Sequence, residues 1–229
     1  MEESRKAEAM GKIEKTSGNI SVIGGSDGLT SIFIAGGRKR TLRQRLQKRY
    51  FALKKKWCAL GIKPGTHTME EVVSFIKEAY GFEEVPKDSG KYVREYDSLR
   101  SSFIMQYEPE LLGEYAKPPK LQSRDEEGIK AFQKQLELRE QKAKEIPTEQ
   151  FAIDLYILEK TDGENQMDFI LESRFGYIGG GFSGSGKGYK HRYHEIYQQV
   201  HRYYGVTEDD IANNTKRYQE LVTVLAHRN

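Results

Sequence analysis

Apolar positions change their spacing several times along the chain, and each change marks an element. Between Thr16 and Gly37 they lie in a glycine-rich, almost uncharged stretch. Ile20 and Val22 alternate, Ser26-Asp27-Gly28 offers a turn, and Ser31 to Ala35 returns, which is the pattern of a β-hairpin. From Arg38 to Leu60 the spacing becomes helical. Leu42, Leu46, Tyr50, Leu53, Trp57 and Leu60 fall on one side with no glycine or proline between them, and Gly61 followed by Lys63-Pro-Gly stops the helix. Thr68-Met-Glu-Glu71 has the form of a capping box and opens a helix whose buried side is Val72, Val73, Ile76 and Tyr80; Gly81 closes it.

Residues 82–120 are punctuated by Pro86, Asp88-Ser-Gly, Pro109 and Pro118-Pro119, leaving room for a helix over Tyr96 to Tyr107. Asp125 to Glu145 is rich in helix formers, with acids first and lysines late, as the helix dipole favours. Its apolar stripe is thin, so it reads as a surface helix or connector. After Pro147, Phe151, Ile153, Leu155 and Ile157 alternate, and Asp162-Gly163 can turn the chain into a second strand over Met167 to Leu171. A glycine-rich loop over residues 176–188 leads to two helices, Tyr189 to Tyr204 and Glu208 to Arg228, the second preceded by Thr207-Glu-Asp-Asp210. The expected class is α+β, mainly helical, with one small antiparallel sheet built from the two hairpins. The expected organisation is a polar leader and hairpin over 1–37, a helical region over 38–120, and a second mixed region over 121–229.

Composition narrows the class. The chain has 229 residues, enough for one large domain or two small ones, and its 14 tyrosines and 10 phenylalanines supply core material. One cysteine, Cys58, excludes an internal disulfide and a thiolate-rich metal site. Met1 to Lys15 is charged and lacks the apolar core of a signal peptide, so the protein is expected in the cytoplasm. A net charge of +3 is small, and its distribution matters more than its sum.

That distribution points to a first candidate site. Arg38, Lys39, Arg40, Arg43, Arg45, Lys48, Arg49, Lys54, Lys55 and Lys56 crowd the solvent-facing sides of the Arg38 to Leu60 helix. Such a face suits nucleic acid or an acidic protein surface, and an amphipathic basic helix carrying Trp57 also suits an anionic membrane surface. An exposed apolar side would equally make a dimer. The leading expectation is a binding or accessory protein rather than an enzyme, with no cofactor and no metal.

The second candidate is the 176–188 loop. Gly181-Phe-Ser-Gly-Ser-Gly-Lys187 repeats most of a phosphate-binding loop, but Gly188 stands where a serine or threonine must reach magnesium. As an alternative function, Gly181, Gly184, Gly186, Lys187, Lys190, His191 and His194 would hold a phosphate or carboxylate in a small ligand-binding or enzymatic domain. The other readings of this loop are a mobile connection or a close backbone approach. Helical spacing sets His191, His194 and His201 away from Tyr193, Ile196, Tyr197 and Val200, and so outside the core; His191, His194 and Glu195 are close enough in sequence to share a metal ion.

One segment carries a family resemblance. Val22-Ile-Gly-Gly-Ser-Asp-Gly-Leu-Thr-Ser-Ile-Phe-Ile-Ala-Gly-Gly37 is similar to the Ile-Gly-Gly-Ala-Asp-Gly-Pro-Thr-Ser-Ile-Phe signature of the membrane-embedded beta subunit of sodium-translocating decarboxylases. Ser26 replaces the alanine and Leu29 the proline. The resemblance implies that Asp27 lies on an ion path, which requires a bundle of spans of about 20 mainly apolar residues each. No stretch of this chain has that composition.

Overall fold

Capping chemistry sets most of the helix ends. The computed structural model describes residues 20–25, 28–34, 41–123 and 125–227. Helix α1 spans Leu42–Leu60 and begins where Thr41 and Gln44 exchange side-chain and backbone hydrogen bonds of 3.0 and 3.3 Å. Helix α2, Met69–Tyr80, has the expected capping box between Thr68 and Glu71 and ends at Gly81. Helix α3 spans Gly90–Tyr107, beginning six residues before the expected Tyr96, because Ser89 accepts a hydrogen bond from Tyr92 N–H and caps it. A short 3-10 helix, Pro109–Tyr115, follows, and Asp125 caps helix α4, Glu126–Glu145.

The N-terminal hairpin forms as its spacing predicts. Strands β1, Ile20–Gly25, and β2, Gly28–Ile34, pair antiparallel with Ile20 opposite Ile34. Ser26, Asp27 and residues 35–40, Arg38, Lys39 and Arg40 among them, lie outside the described residues. The chain divides into two compact units, Met1–Arg45 and Leu46–Asn229.

In the larger unit a four-stranded antiparallel sheet has the order β4-β5-β6-β7, with β4 at Glu83–Glu84, β5 at Leu155–Asp162, β6 at Asn165–Glu172 and β7 at Tyr177–Ser183. The mainly helical α+β class holds, but the two expected hairpins do not share a sheet. β1 and β2 form a two-stranded sheet of their own, and the partners of β5–β6 are β4 and β7. A third ladder, β3 at Gly65–Thr66 with β8 at Gly205–Val206, joins residues far apart in sequence within the unit Leu46–Asn229.

Alternation on β5 divides the core between the two faces of the sheet. Leu158, with Met167, Phe169 and Leu171 of β6, faces α2 (Val72, Ile76) and α5, Lys187–Tyr204 (Tyr193, Ile196, Val200). Leu155 and Ile157 face the other way, together with the expected Phe151 and Ile153, against Tyr92, Phe103 and Ile104 of α3 and Ala143 of α4. The expected last helix is broken into α6, Glu208–Ala212, and α7, Lys216–Ala226. Asn214 takes a left-handed φ of 49°, and Thr215 starts α7 as its N-cap while donating to Asp210 at 2.6 Å.

Among the described residues of this unit, three charged side chains are buried and bound to backbone. Arg100 donates to the carbonyls of Ile146, Pro147 and Phe151, fixing the connection from α4 to β5. Arg139 does the same for Met105, Tyr115 and Ala116, whose carbonyls follow from the ends of α3 and the 3-10 helix. Glu172 is fully buried and accepts from the N–H groups of Asp154, Arg174 and Phe175 at 3.2, 3.0 and 2.8 Å.

Candidate functional site

α1 carries seven basic residues and no acidic one, whereas the whole chain is only +3. Everything outside the helix therefore sums to a net negative charge. None of its residues is buried. One contact with the body is made by Phe51, whose ring lies 4.5 Å from that of His227, with Lys55 over the Phe51 ring at 5.3 Å. Arg43 and Arg45 are exposed in the first turn, and Lys48, Arg49 and Lys56 are exposed further along.

The apolar stripe of α1 also faces water. Leu46, Tyr50, Leu53, Trp57 and Leu60 are between 56% and 85% exposed. At 100° per residue they occupy an arc of about 80°, centred about 140° round the axis from Phe51. The helix thus turns Phe51 and Cys58 toward the body and Leu46, Tyr50 and Leu53 away from it, while Trp57, 76% exposed, also borders a cavity of about 340 Å³ with Arg202, Leu221 and Leu225. A helix that buries nothing of its own has little packing to hold it, and exposed apolar patches of this kind mark places where a partner sits.

The glycine-rich segment is mainly a strand. Residues 177–183 are β7, paired to β6 with Asp168 opposite Gly181, which leaves only 184–186 as a loop. Gly180 has a φ of 151°, and a Cβ there would meet the carbonyl oxygen of Asp168; Gly184, at φ 133°, comes equally close to the Asn165 side chain. The close-approach reading of these glycines holds at both positions. Gly186 precedes α5, and Lys187 is its first residue. Asn165 Oδ1 and Tyr189 Oη, buried beside this loop, have no hydrogen-bond partner among the described residues. Asn165 there offers an acceptor, which asks for a donor and not for an anion.

No protein-family model, curated protein or solved structure matches the chain.

The histidines separate. His191 is exposed, with Glu195 3.5 Å away, and His194 is half-buried. Burial first, then the charges of Lys190, His191 and His227, hold the His194 pKa below its ordinary value. His201, which spacing set outside the core, is buried: α7 covers the side of α5 that the sheet does not, with Gln198 donating to the Val224 carbonyl at 3.2 Å. Among the described residues no group of histidine, cysteine and carboxylate side chains is arranged to hold a metal ion.

His191 and His194 open on a cleft of about 670 Å³ between α1, α5 and α7, where they meet Cys58, Arg202 and His227. Gly181, Gly184, Gly186 and Lys190 do not line it. Among the described residues no helix is long and apolar enough to cross a membrane. The resemblance to the decarboxylase beta subunit falls on β1, β2 and residues outside the described set, Asp27 among them.

Proposed function

We propose that this protein is a non-catalytic binding or accessory protein that docks on a negatively charged surface through α1. The observation that carries the reading is a solvent-exposed helix with seven cations and no anion, on a chain whose remainder is net negative. That segregation orients the molecule in an opposing field, helix first. A short DNA duplex serves as a polyanion of known charge density to test it. Wild-type affinity is expected to fall linearly with salt on logarithmic axes. K48E/R49E/K56E is expected to lower the slope by about 3, at about 0.9 per lost contact, and to weaken binding at least 100-fold near 0.1 M salt. Equal affinity and slope in the two proteins would sink the reading.

A second reading is favoured by the cleft: a small phosphorylated or carboxylated ligand held by Arg202, His191 and His227. Inorganic pyrophosphate at about ten times its Kd is then expected to raise Tm by about 3–6 °C, an effect lost in R202E and retained in K48E/R49E/K56E. A Tm that ignores pyrophosphate removes this reading and leaves the first untouched.

A further inference from the structure

We infer that the surface met by α1 is an anionic lipid bilayer, on which the helix lies in the plane of the interface. Leu46, Tyr50, Leu53, Trp57 and Leu60 enter the acyl boundary while the flanking lysines and arginines stay among the headgroups. This rests on the proposed docking of α1 to a negative surface and names that surface.

Charge alone leaves half of the helix unexplained. Phosphates on a nucleic acid neutralise Lys48, Arg49 and Lys56 but leave five aliphatic and aromatic side chains of the stripe, each more than half exposed, in water. A second copy of the chain covers the stripe only by bringing the cations that border it, Arg49 and Lys56 among them, against their copies with no acid on either helix to offset them. A bilayer with anionic headgroups takes both features together. In-plane helices that bind such membranes carry lysine and arginine on one face and leucine and tryptophan on the other.

The geometry fits the same partner. Nineteen residues give a rod about 28 Å long, and its apolar arc points away from the side that Phe51 attaches to His227, so a flat surface meets the stripe along its length. Arg49 and Lys56 lie on one border of the arc, where long side chains reach from the apolar layer to the headgroups. Tyr50 and Trp57 are the side chains enriched at that boundary. The net negative remainder of the chain is repelled by the same membrane, which keeps α1 foremost.

Trp57 is the sole tryptophan and so reports on this helix alone. The experiment mixes the full chain with vesicles of phosphatidylcholine, or of phosphatidylcholine with about one-third phosphatidylglycerol as an order-of-magnitude anionic content. Binding is followed by sedimentation and by Trp57 emission. Expected are binding to the anionic vesicles at least tenfold tighter than to the neutral ones, a blue shift of Trp57, and its quenching by lipids brominated on the acyl chains. L46Q/L53Q, changed at two exposed positions that leave the core intact, is expected to bind the anionic vesicles at least tenfold more weakly while its duplex DNA binding stays unchanged. Vesicle binding without a Trp57 shift overturns the lipid inference and leaves the charged-surface reading standing. So does a Trp57 shift that appears without vesicles and grows with protein concentration, since the stripe is then covered by self-association. Equal binding to neutral and anionic vesicles overturns it as well. Failure to bind either vesicles or duplex DNA ends both readings.

Discussion

Glu172→Ala is expected to destabilise the larger unit by about 4 kcal/mol, the largest effect of any single substitution proposed. The carboxylate is fully buried at the end of β6 and accepts from three backbone N–H groups, those of Asp154, Arg174 and Phe175. Charge-assisted bonds of this kind contribute about 1.5–3 kcal/mol each, and removing the acceptor strands three donors in a place water does not reach. The bonds share one carboxylate and are not additive, which brings the total down to about 4 kcal/mol. For a unit of this size that corresponds to a fall in Tm of about 8–16 °C. Glu172→Gln keeps one acceptor oxygen and is expected to lose about half as much. Urea titration of the three proteins decides: a loss below about 1 kcal/mol in the alanine variant would mean that the turn from β6 to β7 is held by other contacts.

Acid sensitivity should trace to His201. Burial pushes its pKa down to about 4, against the hydrogen bond that its Nδ1 makes with the Tyr197 carbonyl at 3.0 Å. A carbonyl requires a donor, so the neutral ring carries its proton on Nδ1. In the unfolded chain the ring titrates near 6.5. Between about pH 6.5 and 4 the unfolded state therefore binds a proton that the folded state refuses, and stability falls as the pH falls. From pH 7 to 4.5 the loss is expected to be about 2.5 kcal/mol. Asp168, whose pKa burial raises against the Lys91 charge and the Gly181 N–H, works in the opposite direction, and Asp210, held low first by its bond from Thr215, acts only below the ordinary carboxylate range. His201→Gln removes the histidine contribution and leaves theirs. Urea titrations at pH 7 and 4.5 are expected to show a drop about 2.5 kcal/mol smaller in the variant, and an unchanged drop would mean that water reaches the imidazole.

Those two residues also show where sequence reading stops. Helix ends at Thr68, Asp125 and Thr207 were legible because a cap involves residues three apart and nothing else. The faces of β5 were legible for a similar reason: Phe151, Ile153, Leu155 and Ile157 alternate, and all four are buried on one side. Strand β7 was not legible, because Gly179-Gly180-Gly181 has no side-chain alternation and becomes a strand only through pairing with β6. Arg100 and Glu172 carry no local signal either, since the groups they bind lie up to 51 and 18 residues away. His201 was misplaced because helical spacing finds one apolar face, whereas α5 is covered from two directions.

For the candidate site the limit is of another kind. The stripe on α1 was plain in the sequence, and amphipathicity records that a face favours leaving water without saying what receives it. Only the fold shows that no part of the described body does.

The position of α1 in the chain adds an order in time. The helix is complete at Leu60, while the parts of the body nearest to it, α5, α7 and His227, are synthesised last. At a ribosomal rate of about 5–20 residues per second, more than a hundred residues separate the two events, or about 10–30 s. During that interval the helix is tethered to the ribosome with its leucines and lysines already in place and nothing to rest on. If α1 docks as proposed, its surface is within reach before the fold is complete, and where the messenger is translated becomes part of where the protein settles.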